Sequence, residues 1–340
     1  MKSGLAARAG GKRAAMPQSE VVRVGLVGAG GVGQRHARIL SGLAGAAVVG
    51  VADPDAARAR ALAAWCQVPA FSDARSLIHA VGPDALYVCV PPFAHGDPEM
   101  AAVEHGIPLF VEKPLAADLD TVERLAAAIS AAGLVTGTGY HWRHLDTVHR
   151  ARELLAGRVP GLVAARWLDK VPPPAWWPAR AGSGGQVVEQ VTHLIDLIRH
   201  LAGEVDSVIA HGACLGHCGG DADIDEASVA TLRLANGAVG TLTASCLAPR
   251  KQATSLDVVA SGLALELSED RLMVHDADGV DCLVPQVDPR VAVDSGFVGL
   301  VNGERSPDTV PYDEALRTHR VGCAIAASAA SGGREVSLVA

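Results

Sequence analysis

Aromatic residues are scarce: five tryptophans, four phenylalanines and three tyrosines make up 4% of a 340-residue chain. The core cannot rest on large rings, so alanine, valine and leucine must do most of the packing. Positive charge is also short. Lysine and arginine number 29 against 37 acidic residues, a formal net charge of -8. That excludes the basic footprint of a phosphate-backbone binder, and no nucleic-acid partner is expected. A nucleotide cofactor is not excluded, because backbone N–H groups at a helix N-terminus can hold a pyrophosphate. Long apolar runs are missing too. The stretch from Ala44 to Ala52 is broken by Gly45 and Gly50, well short of the roughly 20 residues that cross a bilayer. No membrane partner is expected. Residues 1–20 carry Lys2, Arg8, Lys12 and Arg13 but no apolar centre, so they read as a disordered tail rather than a secretion signal, with Met16 a candidate start. Seven cysteines scattered from Cys66 to Cys323 do not form a disulfide framework, and a reducing cytoplasm is the default setting.

What is present is a chain 49% hydrophobic and long enough for two domains. From Val21 to about Gly139, strand-like runs (residues 21–27, 46–52, 85–90, 109–111 and 134–136) alternate with helix-like stretches. Such alternation predicts an α/β Rossmann domain over residues 21–140, a doubly wound parallel sheet. After His141 the pattern changes. Residues 205–210, 227–234, 238–245, 256–260 and 263–267 read as strands, with the hairpin signal Asn236-Gly237 between two of them. Residues 141–338 are therefore expected to form an α+β domain with a largely antiparallel, open-faced sheet.

Three constellations carry chemistry. Gly28, Gly30 and Gly33, with Gly31 and Val32 between them, form G-x-G-x-x-G after a strand and at the start of a helix. Glycines there allow a tight turn and close approach of backbone to a pyrophosphate. Asp53 ends the next strand, where a carboxylate bonds ribose hydroxyls and repels a 2′-phosphate. NAD is the expected cofactor and NADP the less favoured one, although Arg58 and Arg60 follow on the next helix. Second, Glu112-Lys113-Pro114 lies at the carboxyl end of a strand, where ligands of open α/β sheets bind. A lysine there can donate a hydrogen bond to a substrate oxygen or exchange a proton. Third, a helix is expected from Gln186 to Leu201. At 100° per residue Val187, Val191, Leu194, Ile195, Ile198 and Leu201 form its core stripe, with Glu189, His193, Asp196 and His200 opposite. Glu189 at i and His193 at i+4 can touch, so Glu189 is expected to orient His193 as a general base.

Together these features resemble the Gfo/Idh/MocA family of NAD(P)-dependent oxidoreductases, over nearly the whole chain. The resemblance includes the glycine fingerprint with its trailing His36, the segment from Val90 through Pro91 to His95, Glu112-Lys113-Pro114, and the glycine pair leading to His193 and Asp196. It implies hydride transfer between NAD and a secondary alcohol of a sugar, sugar derivative or cyclitol, with Lys113 and His193 catalytic and Glu189 where many members carry aspartate. Pro91, His95 and Glu112 join the expected cofactor site, and Asp196 the substrate site. A homodimer or homotetramer is implied as well. Two rivals stay open: a member that recycles NAD while cleaving a glycosidic bond, and a non-catalytic NAD-binding regulator.

Trp142, Trp167, Trp176 and Trp177 crowd one 36-residue window. Trp176 and Trp177, in a proline-rich loop, are expected at the substrate pocket, against the alternative that the rings fill the domain junction. His211, Cys214, His217 and Cys218 lack the spacing of a zinc module, and no metal is expected.

Overall fold

The computed structural model describes residues 21–220 and 222–338; the expected tail and Met16 lie outside the described residues. The first layer follows the alternation read from the sequence: β1 (Val22–Val27), α1 (Gly31–Gly42), β2 (Ala46–Ala52), α2 (Ala56–Cys66), β3 (Ala70–Phe71), α3 (Ala74–Val81), β4 (Ala85–Val88), α4 (Asp97–His105), β5 (Leu109–Val111), α5 (Leu119–Ala132) and β6 (Thr136–Thr138). Side chains start several of these helices. Asp55, Asp73 and Asp118 each accept backbone N–H groups in the first turn of α2, α3 and α5, satisfying donors that have no partner within the helix. The sheet order is β3-β2-β1-β4-β5-β6, parallel throughout. Strand order reverses between β1 and β4, which opens a crevice at their carboxyl ends.

The second layer comprises α6 (Asp146–Leu155), β7 (Pro160–Leu168), α7 (Arg180–Ser183), α8 (Gln186–Glu189), α9 (Thr192–Ala202), β8 (Val205–Ala213), β9 (Ala227–Leu234), β10 (Val239–Ser245), β11 (Ala253–Ala260), β12 (Leu263–Leu267), β13 (Leu272–Asp276), β14 (Gly279–Leu283), α10 (Pro289–Val301), α11 (Tyr312–Ala330) and β15 (Val336–Ser337). Its nine-stranded sheet runs β14-β13-β12-β11-β7-β10-β9-β8-β15. Among the described strands of this sheet only β7 and β10 pair in parallel. Helices α6, α9 and α11 cover one face. The other exposes Leu162, Val229 and Val239, and the strict alternation of β9 reflects this two-sided setting. Among the described residues no helix is long and apolar enough to cross a membrane.

The structure differs from the sequence reading at several points. The Asn236-Gly237 hairpin exists, but Leu234 N–H bonds the Ala238 carbonyl and Gly237 N–H bonds that of Leu234. The loop therefore holds three residues, and Gly237 takes the positive φ of 89° that such a loop requires. Strands β13 and β14 gave no signal, because β14 is exposed along its whole length and shows no alternation. Helix α10 was equally hidden, since its Val- and Gly-rich sequence favours a strand. The division at residue 140 is also crossed in the core. Phe297 of α10 packs with Tyr87 and Phe110, and Val310, Tyr312 and Leu316 join the cluster formed by β4, β5 and α5.

One buried chain of charge ties these layers together. His36 of α1 donates from Nδ1 to Asp294 of α10 at 2.8 Å and from Nε2 to Glu112, just beyond β5, at 2.8 Å. Burial opposes charge on the imidazole, but Asp294 and then Glu112 outweigh it and raise its pKa to about 9. The raised value stabilises the fold fully below the ordinary histidine pKa of 6.5, and that stability is lost as pH rises through about 9. His36→Asn is thus expected to lower unfolding free energy by about 3 kcal/mol near pH 6. In urea titrations the wild-type advantage should shrink above pH 9; a difference independent of pH would refute a charged His36.

Candidate active site

The turn after β1 is shaped by what its glycines leave out. A Cβ on Gly28, whose φ is +97°, would lie 2.3 Å from the Cys89 carbonyl oxygen, and one on Gly33 would lie 1.8 Å from that of Gly28. At Gly30 and Gly31 a Cβ would meet nothing within 4 Å, so the backbone there is bare toward the crevice. Helix α1 begins at Gly31 with no acidic residue in its first turn and no side-chain cap, leaving its N–H groups free for an anion; Val32 is exposed beside them. Asp53 follows β2 and turns toward this loop, accepting Ala29 N–H at 2.8 Å and Asp55 N–H at 2.8 Å. Arg58, more than half exposed, pairs with the same carboxylate at 3.1 Å. A bare glycine turn, a free helix start and a carboxylate at the next strand end fit a dinucleotide.

Pro91 and His95 flank the short turn Pro92–Ala94 after β4. The His95 Nδ1 is 2.5 Å from Glu99, and its Nε2 is buried without a partner. Glu112 is placed differently from the sequence expectation. It is buried, with Oε1 taken by Arg35 and His36 and Oε2 by the backbone N–H of Lys113. Burial works against its charge, yet His36, Arg35 and Lys113 bring its carboxyl down to about 2. Glu112, expected at the cofactor site, anchors the strand end from behind Lys113, with both oxygens engaged within the protein.

The helix expected from Gln186 to Leu201 is broken. Val191 N–H reaches back five residues to the Gln186 carbonyl at 3.1 Å, a π-type bulge between α8 and α9. The stripe from Val187 to Leu201 is buried as expected, but the bulge shifts Glu189 out of register with His193. Glu189 instead accepts Lys113 Nζ on Oε1 at 3.0 Å and on its own carbonyl at 2.9 Å, and Trp177 Nε1 on Oε2 at 2.8 Å. The expected Glu189–His193 pair is replaced by a Lys113–Glu189 pair. Asp196 is also spoken for, with both oxygens on Arg143 at 2.7 Å and a further bond from Thr318, which removes it from the substrate contacts. Trp177 is 1% exposed and packs with Ile224 and Cys246, so it walls no pocket; Trp176 faces Phe93 at 6.3 Å.

His193 heads α9 inside a cage of rings. Trp142 and Trp167 lie nearly parallel to it at 5.9 and 6.3 Å, and His141 and Tyr140 meet it edge-on at 4.9 and 6.0 Å. Its Nδ1 has no partner. Burial first, then the positive fields of His141 and Lys113, hold its pKa well below 6.5, so the imidazole is neutral and able to accept a proton. Sequence reasoning missed His141 and Glu269, which faces His141 at 3.8 Å. His141 was findable, since it directly follows β6 at the carboxyl edge of the first sheet. Glu269 lies far along the chain and gave no local cue. Among the described residues no group of His, Cys, Asp and Glu could hold a metal ion; Cys218 instead lies 3.7 Å from Cys246.

Comparisons with known proteins agree with this geometry. A family model described as an oxidoreductase family with an NAD-binding Rossmann fold matches residues 22–140, and one for the GFO/IDH/MocA C-terminal domain matches residues 149–266. The NAD(+)-dependent scyllo-inositol 2-dehydrogenase of Bacillus subtilis is 30% identical over 237 residues, covering 67% of this chain and 68% of that protein. The 2,7-anhydro-N-acetylneuraminate hydratase of Mediterraneibacter gnavus is 28% identical over 214 residues, covering 60% of this chain and 56% of that one. Levoglucosan dehydrogenase, solved with NADH, superposes with a TM-score of 0.84 at 21% identity, covering 94% of this chain and 99% of the other.

Opposed histidine shifts give a direct check of the site. In an NMR titration the His193 ring should remain neutral at pH 6.5 while His36 stays charged, titrating only near pH 9. A charged His193 at pH 6.5 would refute the proposed environment.

Proposed function

Because the chain belongs to the Gfo/Idh/MocA family of oxidoreductases, we propose that it is an NAD-dependent dehydrogenase acting on a secondary alcohol of a sugar, sugar derivative or cyclitol. One observation carries the assignment of roles: Lys113 reaches from the end of β5 to α8, its Nζ 3.0 Å from Glu189 Oε1, while His193 at the head of the adjoining α9 keeps its Nδ1 without a partner. The dinucleotide, when bound, supplies the hydride acceptor. Gly28, Gly30, Gly31, Val32 and Gly33 would hold its pyrophosphate and Asp53 its ribose, with Pro91 and His95 forming the neighbouring wall. His193 takes the hydroxyl proton. Lys113 hydrogen-bonds the same oxygen and stabilises the negative charge that develops there. Glu189 holds the ammonium in place, and Trp142 and Trp167 screen the imidazole from water.

Several finer points belong to the same reading. Asp53 favours NAD, while the exposed Arg58 beside it leaves a cation for a 2′-phosphate, so NADP is the weaker cofactor. The exposed Val229 and Val239 on the open face of β9 and β10 support a homodimer or homotetramer. Free cysteines among the described residues support a cytoplasmic setting. The similarity to a hydratase favours a second reading, in which the net reaction would consume no NAD and release no NADH. Stoichiometric release of NADH would decide against it.

Lys113→Ala and His193→Ala are each expected to cut turnover by about 100-fold or more, with NADH affinity, read by fluorescence titration, almost unchanged. Full activity in either variant would sink the assignment. Asp53→Ala should shift the NADP-to-NAD ratio of kcat/KM upward by about tenfold. An unchanged ratio would separate Asp53 from cofactor choice.

A further inference from the structure

Beyond His193 the polar surface continues. A cavity of about 570 Å3 opens between β7, β11 and the turn after β12, within the range of about 300–1,000 Å3 that small-molecule sites occupy. It begins one side chain from the proposed base. Glu269 lines it and also faces His141, whose ring lies 4.9 Å from that of His193. Lys251 lines it too and sits 5.8 Å over the Trp167 ring, which flanks His193 on another side.

Three buried polar atoms near this cavity lack a hydrogen-bond partner in the protein: His141 Nε2, whose facing carboxylate on Glu269 is 3.8 Å away, Trp167 Nε1 and Thr254 Oγ1. Each belongs to a residue at least nine-tenths buried. Thr254 lines the cavity and stands opposite Trp167 in the β7–β11 ladder. Buried donors and acceptors in native proteins are normally satisfied, so a row of three calls for hydroxyl groups or water.

The lining also defines the ligand. Three cations and three carboxylates face the space, so its formal charges cancel and it offers no net attraction to an anion. Glu269 is paired with Arg290 and, at 3.5 Å, with Lys251, and these pairs present fixed acceptors and donors side by side. Arg166 makes one hydrogen bond, to Ser255 Oγ at 3.2 Å, and no ion pair among the described residues. Interleaved donors and acceptors of balanced charge match a neutral polyol.

We propose that this cavity, edged by Glu269 and Lys251 near His141 and continued by Arg166 on the outer face of the sheet, is a second subsite that takes a neutral hydroxyl-bearing extension of the substrate, such as a glycosidically linked second ring. The assignment rests on the sugar-oxidation reading above. It makes the preferred substrate larger than a single ring.

The test is calorimetric titration of NADH-loaded protein with glucose, galactose, maltose, cellobiose, lactose and glucose 6-phosphate. At least one disaccharide should bind about tenfold more tightly than either single ring. Glu269→Gln, which keeps the side-chain shape, and Arg166→Ala, at an exposed position, should each erase that gain while the thermal melt stays near wild type. The subsite is overturned if no disaccharide gains affinity, if glucose 6-phosphate binds best, or if the gain survives both substitutions. NAD reduction by the same sugars, followed by absorbance, separates the two claims. A disaccharide gain without NADH formation refutes the dehydrogenase reading alone. NADH formation from single rings without any gain refutes the subsite alone.

Discussion

A carboxylate that never meets solvent fixes the centre of this molecule. Glu112 is gripped by Arg35 and His36 of α1 and by the backbone N–H of Lys113, and His36 is gripped in turn by Asp294 of α10. Three elements distant in sequence therefore meet at the end of β5. Removing any partner strands a charge in the interior, which costs far more than an exposed ion pair contributes. With Glu112 fixed behind it, Lys113 extends forward into the crevice. The lysine proposed for catalysis is thus aimed by a network that it joins only through its backbone.

The same crevice shows how environment assigns roles to like residues. His36 and His193 are both buried, yet carboxylates keep one charged whereas burial, reinforced by nearby cations, keeps the other neutral. Burial alone would have treated them alike; the sign of the neighbouring charge decides. Glu189 and Glu112 divide similarly. One supports the lysine through its side chain from α8, the other through its main chain from β5.

What the sequence disclosed was whatever is encoded locally. The glycine turn, Asp53 at a strand end and Lys113 at another follow from spacing within one βαβ unit, and the structure places all of them at the carboxyl edge of the first sheet. The core stripe of Val187 to Leu201 was legible for the same reason. The Glu189–His193 pair was not, because a single inserted backbone step at Val191 rotates one residue against the other, and helical arithmetic assumes an unbroken ladder. His36–Asp294 spans 258 positions, and Glu269 reaches His141 from the far side of the second sheet. No window of sequence contains such contacts. Trp177 misled for a related reason: a proline-rich loop suggested exposure, but tertiary packing buried the ring and gave its N–H to Glu189.

Helices α10 and α11 return from the second layer to complete the core of the first, with Phe297 on Tyr87 and Phe110, and Tyr312 and Leu316 beside β5. During synthesis the nucleotide-binding half therefore leaves the ribosome before the residues that cover it have been made. Vectorial folding stops short here: the first domain waits, partly bare, for the helices that begin at Pro289 to emerge. A premature stop before α11 would consequently uncover part of the N-terminal half as well as the second sheet, and chaperone demand should extend to the older end of the nascent protein.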